Sequence, residues 1–434
     1  MADAPIGGRW VGPLLGLSLA AVFLLALEGV AQLVWEPGRL EGILAILEQH
    51  PELLWRQRAR LDTRFEGEPL YTDALGLRTT ADGPPGDWEQ ATPRVLVLGG
   101  SPTLGWGVAG EQAYAAQLEG LLRAGSEPDA RVRNAGQVGW SSHQGRYFLA
   151  AGTAGLDADV VTIAYAINDV DSYRFFRSDG RPDRELEPGL ALPIAVRNQL
   201  EGLALFRLMD RGFPRGGGGQ ALEGAGSLSV FRPSSPRVSL EDYRANLGAM
   251  VAQVRATGAR PLLVVMPVHL PEGPQVSEPD AERARTHQAE AVRLLDVGDC
   301  DAAMVEASQA VALDTLTSQA HYVLGFCLDA AGESEASGAR LAAAMEAEGH
   351  RCSRDGRRYN LAMRRLAAEL GVELVDAAAA LAPMGDAAFV DPVTDPIHPS
   401  PAGHALIARL IAQQLTTSAE GETASGPAPI FPSP

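Results

Sequence analysis

The chain has 434 residues, 46% of them hydrophobic, enough for one large domain with additions or for two domains. Its 36 Lys and Arg against 54 Asp and Glu leave a formal charge of −18, with no basic run, which excludes a nucleic-acid surface. The three cysteines, Cys300, Cys327 and Cys352, are too few and too late for a disulfide framework and lack C-x-x-C spacing. No structural metal and no cofactor is expected.

In chain order, residues 11–27 carry Ser18 as their only polar side chain, and after Glu28 the apolar run resumes to Val34. With Trp10 and Trp35 at its ends, the segment 10–35 reads as a transmembrane anchor, since a helix of this length matches a bilayer core and Trp favours its interfaces. The rival is a cleaved signal peptide, because Gly29-Val30-Ala31 resembles a small-residue cleavage site. Arg9 before the segment and Arg39, Arg56, Arg58 and Arg60 after it give no charge bias toward an exported body. Residues 36–90 read as a stalk.

Short apolar runs at 94–100, 131–134, 160–165, 261–267 and 372–375 predict five buried strands, alternating with helices near 111–123, 142–151, 240–257, 357–370 and 401–415. That alternation implies a parallel sheet covered on both faces, with ligands bound beyond the carboxyl ends of its strands. Residues 171–239 are irregular and hold the four glycines 216–219. Leu203, Phe206 and Leu208 form an apolar stripe suited to core packing or to a small lid. Within 274–352, Gly298, Ala303, Ala307 and Ala310 recur as Gly332, Ser337, Leu341 and Ala344. The offset is the tetratricopeptide period, with an alanine-rich helical hairpin as the plainer reading. The Ser/Gly/Pro-rich tail 416–434 predicts disorder.

Three strand ends carry chemistry-bearing residues. Ser101 follows Gly99-Gly100, glycines that let the backbone turn sharply and leave a hydroxyl above the sheet. His398 lies late in the chain with Asp395 three residues before it, a spacing that lets the carboxylate hold the imidazole in the tautomer that accepts a serine proton. Gly139 and Asn168 follow the second and third strands, where a backbone amide and a side-chain amide, with the amide of Ser101, suit an oxyanion hole. Singly, each motif is commonplace as a turn or a helix cap; in order, at successive strand ends, they make a set.

That set resembles the SGNH/GDSL hydrolase family at Ser101 with Gly105 and Gly107, at Gly139, at Asn168-Asp169, and at Asp395 with His398. The likeness covers roughly 70–415, and segments 243–265 and 398–408 also look like the family's connecting pieces. Gly100 stands where the motif has Asp, and Ala166 where the third block has Gly. The resemblance implies a three-layer α/β/α sandwich of flavodoxin-like type on a five-stranded parallel sheet. It implies a hydrolase in two parts, 91–273 and 353–415, with the helical repeat insert 274–352 between them. Ser101, Asp395 and His398 would be the catalytic triad and Ser101, Gly139 and Asn168 the oxyanion donors. The expected activity is ester hydrolysis through an acyl-enzyme, on a lipid or acylated envelope glycan, by a single-pass membrane protein whose body lies outside the cytoplasm. Secretion after cleavage is the alternative location. Acyl transfer to an envelope polysaccharide is the alternative activity, and a repeat-based scaffold with a vestigial site is the alternative class. The insert is expected to dock a protein partner or polymer, and in an exported protein Cys300 and Cys327 can pair across its antiparallel helices.

Overall fold

The computed structural model describes residues 11–34, 39–83, 86–151, 157–170, 182–186, 189–201, 203–207, 236–268, 276–392 and 395–424. The Gly216–219 run, Leu208, Trp10 and Trp35 lie outside them.

Its centre is one eight-stranded sheet. Strands β1 (Leu47–His50) and β2 (Leu54–Gln57) form a separate hairpin, followed by β3 (Asp62–Phe65), β4 (Glu68–Thr72) and β5 (Arg78–Thr79). Next come the five expected parallel strands: β6 (Arg94–Gly99), β7 (Arg131–Gly136), β8 (Val160–Ala164), β9 (Arg260–Val265) and β10 (Glu373–Asp376). The order is β10-β9-β8-β6-β7-β5-β4-β3. The parallel part therefore has the flavodoxin-like order, and its direction reverses at β6, the kind of switch point where open α/β sheets bind ligands.

The period of two along each strand builds the layers. Leu96, Leu98, Val161, Ile163, Leu263 and Val265 face one core. Val95, Val97, Val132, Val160, Leu262 and Val264 face the other. The first core is closed by the helices Ser142–Ala150, Leu240–Ala256 and Ser334–Leu370, and the second by Tyr114–Ala124 and Pro401–Ala424. Ser239 starts one of these helices by accepting from Asp242 N at 3.0 Å.

Eight strands rather than five is the first correction, and it comes from the segment expected as a stalk. Antiparallel β3, β4 and β5 extend the sheet past β7, and the fully buried Trp55 of β2 donates from Nε1 to Val138 O at 2.8 Å. These strands are short and partly charged, so their hydrophobic alternation is too brief to read as sheet. The N-terminal segment does form a helix, Val11–Val34. Among the described residues, however, no helix is long and apolar enough to cross a membrane. Glu28 interrupts its apolar run, and this carboxylate accepts from the backbone N–H groups of Ala204 and Leu205 at 2.8 and 2.9 Å. Leu203 stays exposed beside them and Ala204 is buried. The last helix continues beyond Thr416 to Ala424, where disorder was expected. The Thr416 and Thr417 hydroxyls donate back to carbonyls one turn earlier.

Between β9 and β10 stands a helical unit. Helices Glu278–Asp296, Cys300–Leu313 and Ser318–Ala330 lead into Ser334–Leu370, packed around Ala303, Ala307, Ala310, Ala320 and Leu324. Gly298 and Gly332 follow helix ends with left-handed φ of 80° and 81°, a conformation that costs glycine nothing. The expected insert boundary at 352 falls inside the last, 37-residue helix. No proline interrupts it, so it runs on into the sheet's core and ends at Gly371 (φ 57°).

Cys300 and Cys327 form a disulfide with Cα atoms 5.5 Å apart, joining two helices across a sequence separation of 27. Closing a loop of that size stabilises the folded form by about 3–4 kcal/mol in the chain-entropy picture. Urea melts followed by helix signal are expected to show an earlier transition in Cys300→Ala/Cys327→Ala protein and in reduced wild type. Coincident melts would show that the helices need no staple.

Candidate active site

The site is built on the end of β6. An ideal Cβ at Gly99 would collide with Thr103 Oγ1 and the Ala164 carbonyl, and one at Gly100 with Asn168 Nδ2. At residue 100 the Asn168 carboxamide occupies the space that a side chain would enter. Ser101 then begins a single helical turn, Ser101–Leu104, and its carbonyl accepts from Gly105 N and Trp106 N at 3.1 and 3.2 Å.

Residues nearly three hundred positions later complete the cluster. An antiparallel hairpin of β11 (Phe389–Asp391) and β12 (Asp395–Pro399) brings His398 to Ser101. His398 Nε2 lies 2.8 Å from Ser101 Oγ, and its Nδ1 lies 2.6 Å from both oxygens of Asp395. Asp395 Oδ1 also accepts from His398 N at 3.3 Å. Nδ1 thus faces the Asp395 carboxyl, a pure acceptor when charged, and Nε2 faces the serine hydroxyl, the orientation in which the ring can accept the serine proton. Serine and histidine are buried, which sharpens their electrostatics. The other histidine of this segment, His404, has a different part. Burial pushes its pKa down to about 3, and as a neutral ring it accepts from Tyr114 N at 3.3 Å.

The structure brings Asn168 beside Gly100 and places Gly139 on the neighbouring loop. Asn168 Nδ2 donates to Trp140 O at 3.0 Å and carries a second N–H. Gly139 adopts a left-handed φ of 69°, in the turn after β7. A small cleft opens here, lined by Gly100, Pro102, Trp140, Ala166, Asn168 and Met266. Its wall is mostly apolar. Among the described residues no group of three or more His, Cys, Asp or Glu side chains is placed to hold a metal ion.

Several site neighbours escape sequence reading. Trp106 stacks on His398 with centroids 4.9 Å apart and planes 9° apart, and Phe65 of β3 meets Trp106 edge-on at 4.6 Å. The buried Arg78 of β5 donates to the carbonyls of Leu104 (3.0 Å), Gly105 and Val108 (2.7 Å), holding the loop after the serine. Burial lowers its pKa to about 10, so it remains charged at neutral pH. Nothing in the local pattern marks these residues, because their partners are distant in sequence.

Among solved structures, the chain is similar to Axe2, an acetylxylan esterase from Geobacillus stearothermophilus, at 16% identity and TM-score 0.36, covering 75% of this chain and 94% of that one. It is similar also to LAE5, an α/β hydrolase from the metagenome of Lake Arreo, Spain, at 17% identity and TM-score 0.35, covering 74% and 94%. A third is a G-D-S-L family protein from Desulfitobacterium hafniense, at 10% identity and TM-score 0.35, covering 74% and 99%. No family model matches the chain. No curated protein matches it by sequence. At TM-scores this low, the functional reading rests on the chain's own geometry.

Asp169 offers a test of the site's electrostatics. Burial raises its pKa to about 7, although hydrogen bonds from the Ser142 hydroxyl and N–H (2.9 Å) oppose the shift. A carboxyl raised in the folded state binds more protons there than when unfolded. The stability it contributes is complete below the ordinary value near 4 and is lost as pH rises to about 7. Asp169→Asn is therefore expected to flatten the fall in melting temperature between pH 5 and pH 8, measured by scanning calorimetry. Parallel profiles for the two proteins would show that this carboxyl is not the cause.

Proposed function

We propose that this chain is a serine ester hydrolase acting through an acyl-enzyme on Ser101. The observation that carries the reading is the unbroken path from Asp395 to His398 to Ser101, with contacts of 2.6 and 2.8 Å, at the switch point of a parallel sheet. Ser101 Oγ attacks the ester carbonyl carbon while its proton passes to His398 Nε2, and the carbonyl π pair moves onto oxygen. Asp395 holds the Nδ1 proton and stabilises the imidazolium that forms. The oxyanion lies toward the amides of Ser101 and Gly139 and the carboxamide of Asn168, donors whose value is realised as charge develops. Collapse expels the alcohol, which takes the proton from His398. Water then repeats the sequence against the acyl-serine and releases the acid. The small, largely apolar cleft suits a short acyl group, such as that of an acylated glycan.

Ser101→Ala and His398→Ala are each expected to lower ester turnover by about three orders of magnitude or more, and Ser101→Ala to abolish labelling by a fluorophosphonate probe. Asn168→Ala is expected to lower kcat by about 10²–10³-fold with little change in KM. Wild-type protein that neither reacts with the probe nor cleaves any short-acyl, long-acyl or acetylated-glycan ester would refute the assignment.

We further propose that the N-terminal helix attaches the protein to a membrane and that its body lies outside the cytoplasm. Leu19, Val22, Phe23, Leu24, Leu25 and Leu33 of that helix are exposed, an apolar surface suited to lipid. The Cys300–Cys327 disulfide supports an oxidising compartment. Membrane association is expected to survive alkaline carbonate, with protease reaching the body in spheroplasts. A carbonate-soluble protein, or one protected from protease until lysis, would contradict one half of this placement or the other.

A further inference from the structure

Arg237 and Asp183 form an ion pair at 3.0 Å that is 1% and 0% exposed, and neither residue belongs to the proposed triad or oxyanion donors. Such a pair is costly to bury, and apolar side chains of similar volume would serve stability as well or better, so its presence asks for a positional reason. The partners of the guanidinium supply one. Nη1 donates to Gly139 O at 2.6 Å and Nη2 to Gln144 Oε1 at 2.7 Å, while the group lies 5.0 Å over the Trp55 ring. On the other side of the pair, Ser141 Oγ donates to Asp183 Oδ2 at 2.7 Å, and Asp183 N donates to Arg237 O at 2.7 Å.

Arg237 and Trp55, over whose ring it lies, between them hold both peptide planes that flank Gly139. The plane between Gly139 and Trp140 is fixed through its carbonyl by Arg237. The plane between Val138 and Gly139 is fixed through its carbonyl by Trp55 Nε1 at 2.8 Å. In a trans peptide the N–H points opposite to the C=O, so anchoring the Val138 carbonyl aims the Gly139 N–H. The same short stretch reaches the second donor loop as well: Val238 N donates to Asp169 O at 3.1 Å, one residue after Asn168.

We propose that Arg237, held by Asp183, is a positioning residue: it pins Gly139 through its carbonyl and lies over Trp55, the side chain that aims the Gly139 N–H, and so keeps that N–H set for the developing oxyanion, a role that rests on the serine-hydrolase reading. It touches no reacting atom. Its fork grips a glycine that, at a φ of 69°, has no side chain of its own to fix it. A single ammonium can pair with Asp183 but cannot also reach Gly139 O and Gln144 Oε1 with the fork geometry.

The test uses the full chain and a short-acyl ester, with wild type and Ser101→Ala as active and inactive references. In Arg237→Lys, which keeps the charge beside Asp183, kcat is expected to fall by about tenfold or more, with KM within about twofold and an unchanged melting temperature. A role confined to charge balance would leave kcat near that of wild type, and that result overturns the proposal. Should Arg237→Lys fail to fold, Ser141→Ala removes the loop's tie to Asp183 at the start of the helix Ser142–Ala150 and is compared with wild type per folded molecule. A several-fold loss in kcat at constant KM then supports the proposal, and wild-type kcat overturns it. If wild type itself is inert toward esters and the fluorophosphonate, the hydrolase reading fails and this inference falls with it. Activity in wild type with undiminished kcat in the variants overturns the positioning role alone.

Discussion

At the end of β6 the backbone passes so close to its neighbours that no side chain fits at residues 99 and 100. Thr103 Oγ1 and the Ala164 carbonyl crowd Gly99, and the Asn168 carboxamide fills the space beside Gly100. The rest of the site is arranged around this contact. It turns the chain so that Ser101 opens a helical turn directly after the strand, within reach of His398. It also sets the end of the neighbouring strand β8 against the end of β6 and Asn168 against Gly100, the residue before the serine. A methyl group at either glycine would force the Ser101 turn or its neighbours to shift.

Around that contact lies a frame drawn from widely separated parts of the chain. Around the loop that carries Gly139, the Trp55 indole donates to Val138 O at 2.8 Å and the Trp140 indole donates to Trp55 O at 2.9 Å. Phe65 supports Trp106, which in turn stacks on the imidazole of His398. Arg78 collects the carbonyls of the turn after the serine. All three N-terminal contributors, Trp55, Phe65 and Arg78, come from the segment that composition alone makes look like a tether. The antiparallel extension of the sheet is thus a wall of the site, and trimming the chain to its five parallel strands would remove the supports of both the histidine and the Gly139 loop.

The helical unit between β9 and β10 has a separate small core, built on alanines, and its own covalent staple. Small side chains allow close helix packing but bury little apolar area, so a cross-link has more to contribute here than in the sheet domain. The unit is nevertheless not detachable at its far end. The helix Ser334–Leu370 leaves it and presents Tyr359, Met363 and Leu366 to the main core, where Tyr359 Oη donates to Val238 O at 2.7 Å. The residue so held is adjacent to Arg237, so this helix also braces the segment that grips the Gly139 loop.

The five parallel strands, their order of appearance and the candidate residues Ser101, Gly139, Asn168, Asp395 and His398 were legible in the sequence because each is announced locally. A buried parallel strand is an unbroken apolar run, and a strand-end turn is marked by its glycines or by an Asn-Asp pair within a few positions. The meeting of Ser101 with His398 was legible only as a pattern, and it took the β11–β12 hairpin to make it a distance. Tertiary structure alone decided the rest. β3 to β5 are too short and too polar to display a period, and they become strands because β7 offers them an edge. Trp106, Arg78, Asp183 and Arg237 carry no local signature, since each acts on groups tens of positions away. Arg237 lies in an irregular stretch with no hydrophobic period, and its bond to Gly139 spans 98 positions. Local periodicity records which face of an element is buried; it holds no record of which distant carbonyl a buried guanidinium will find.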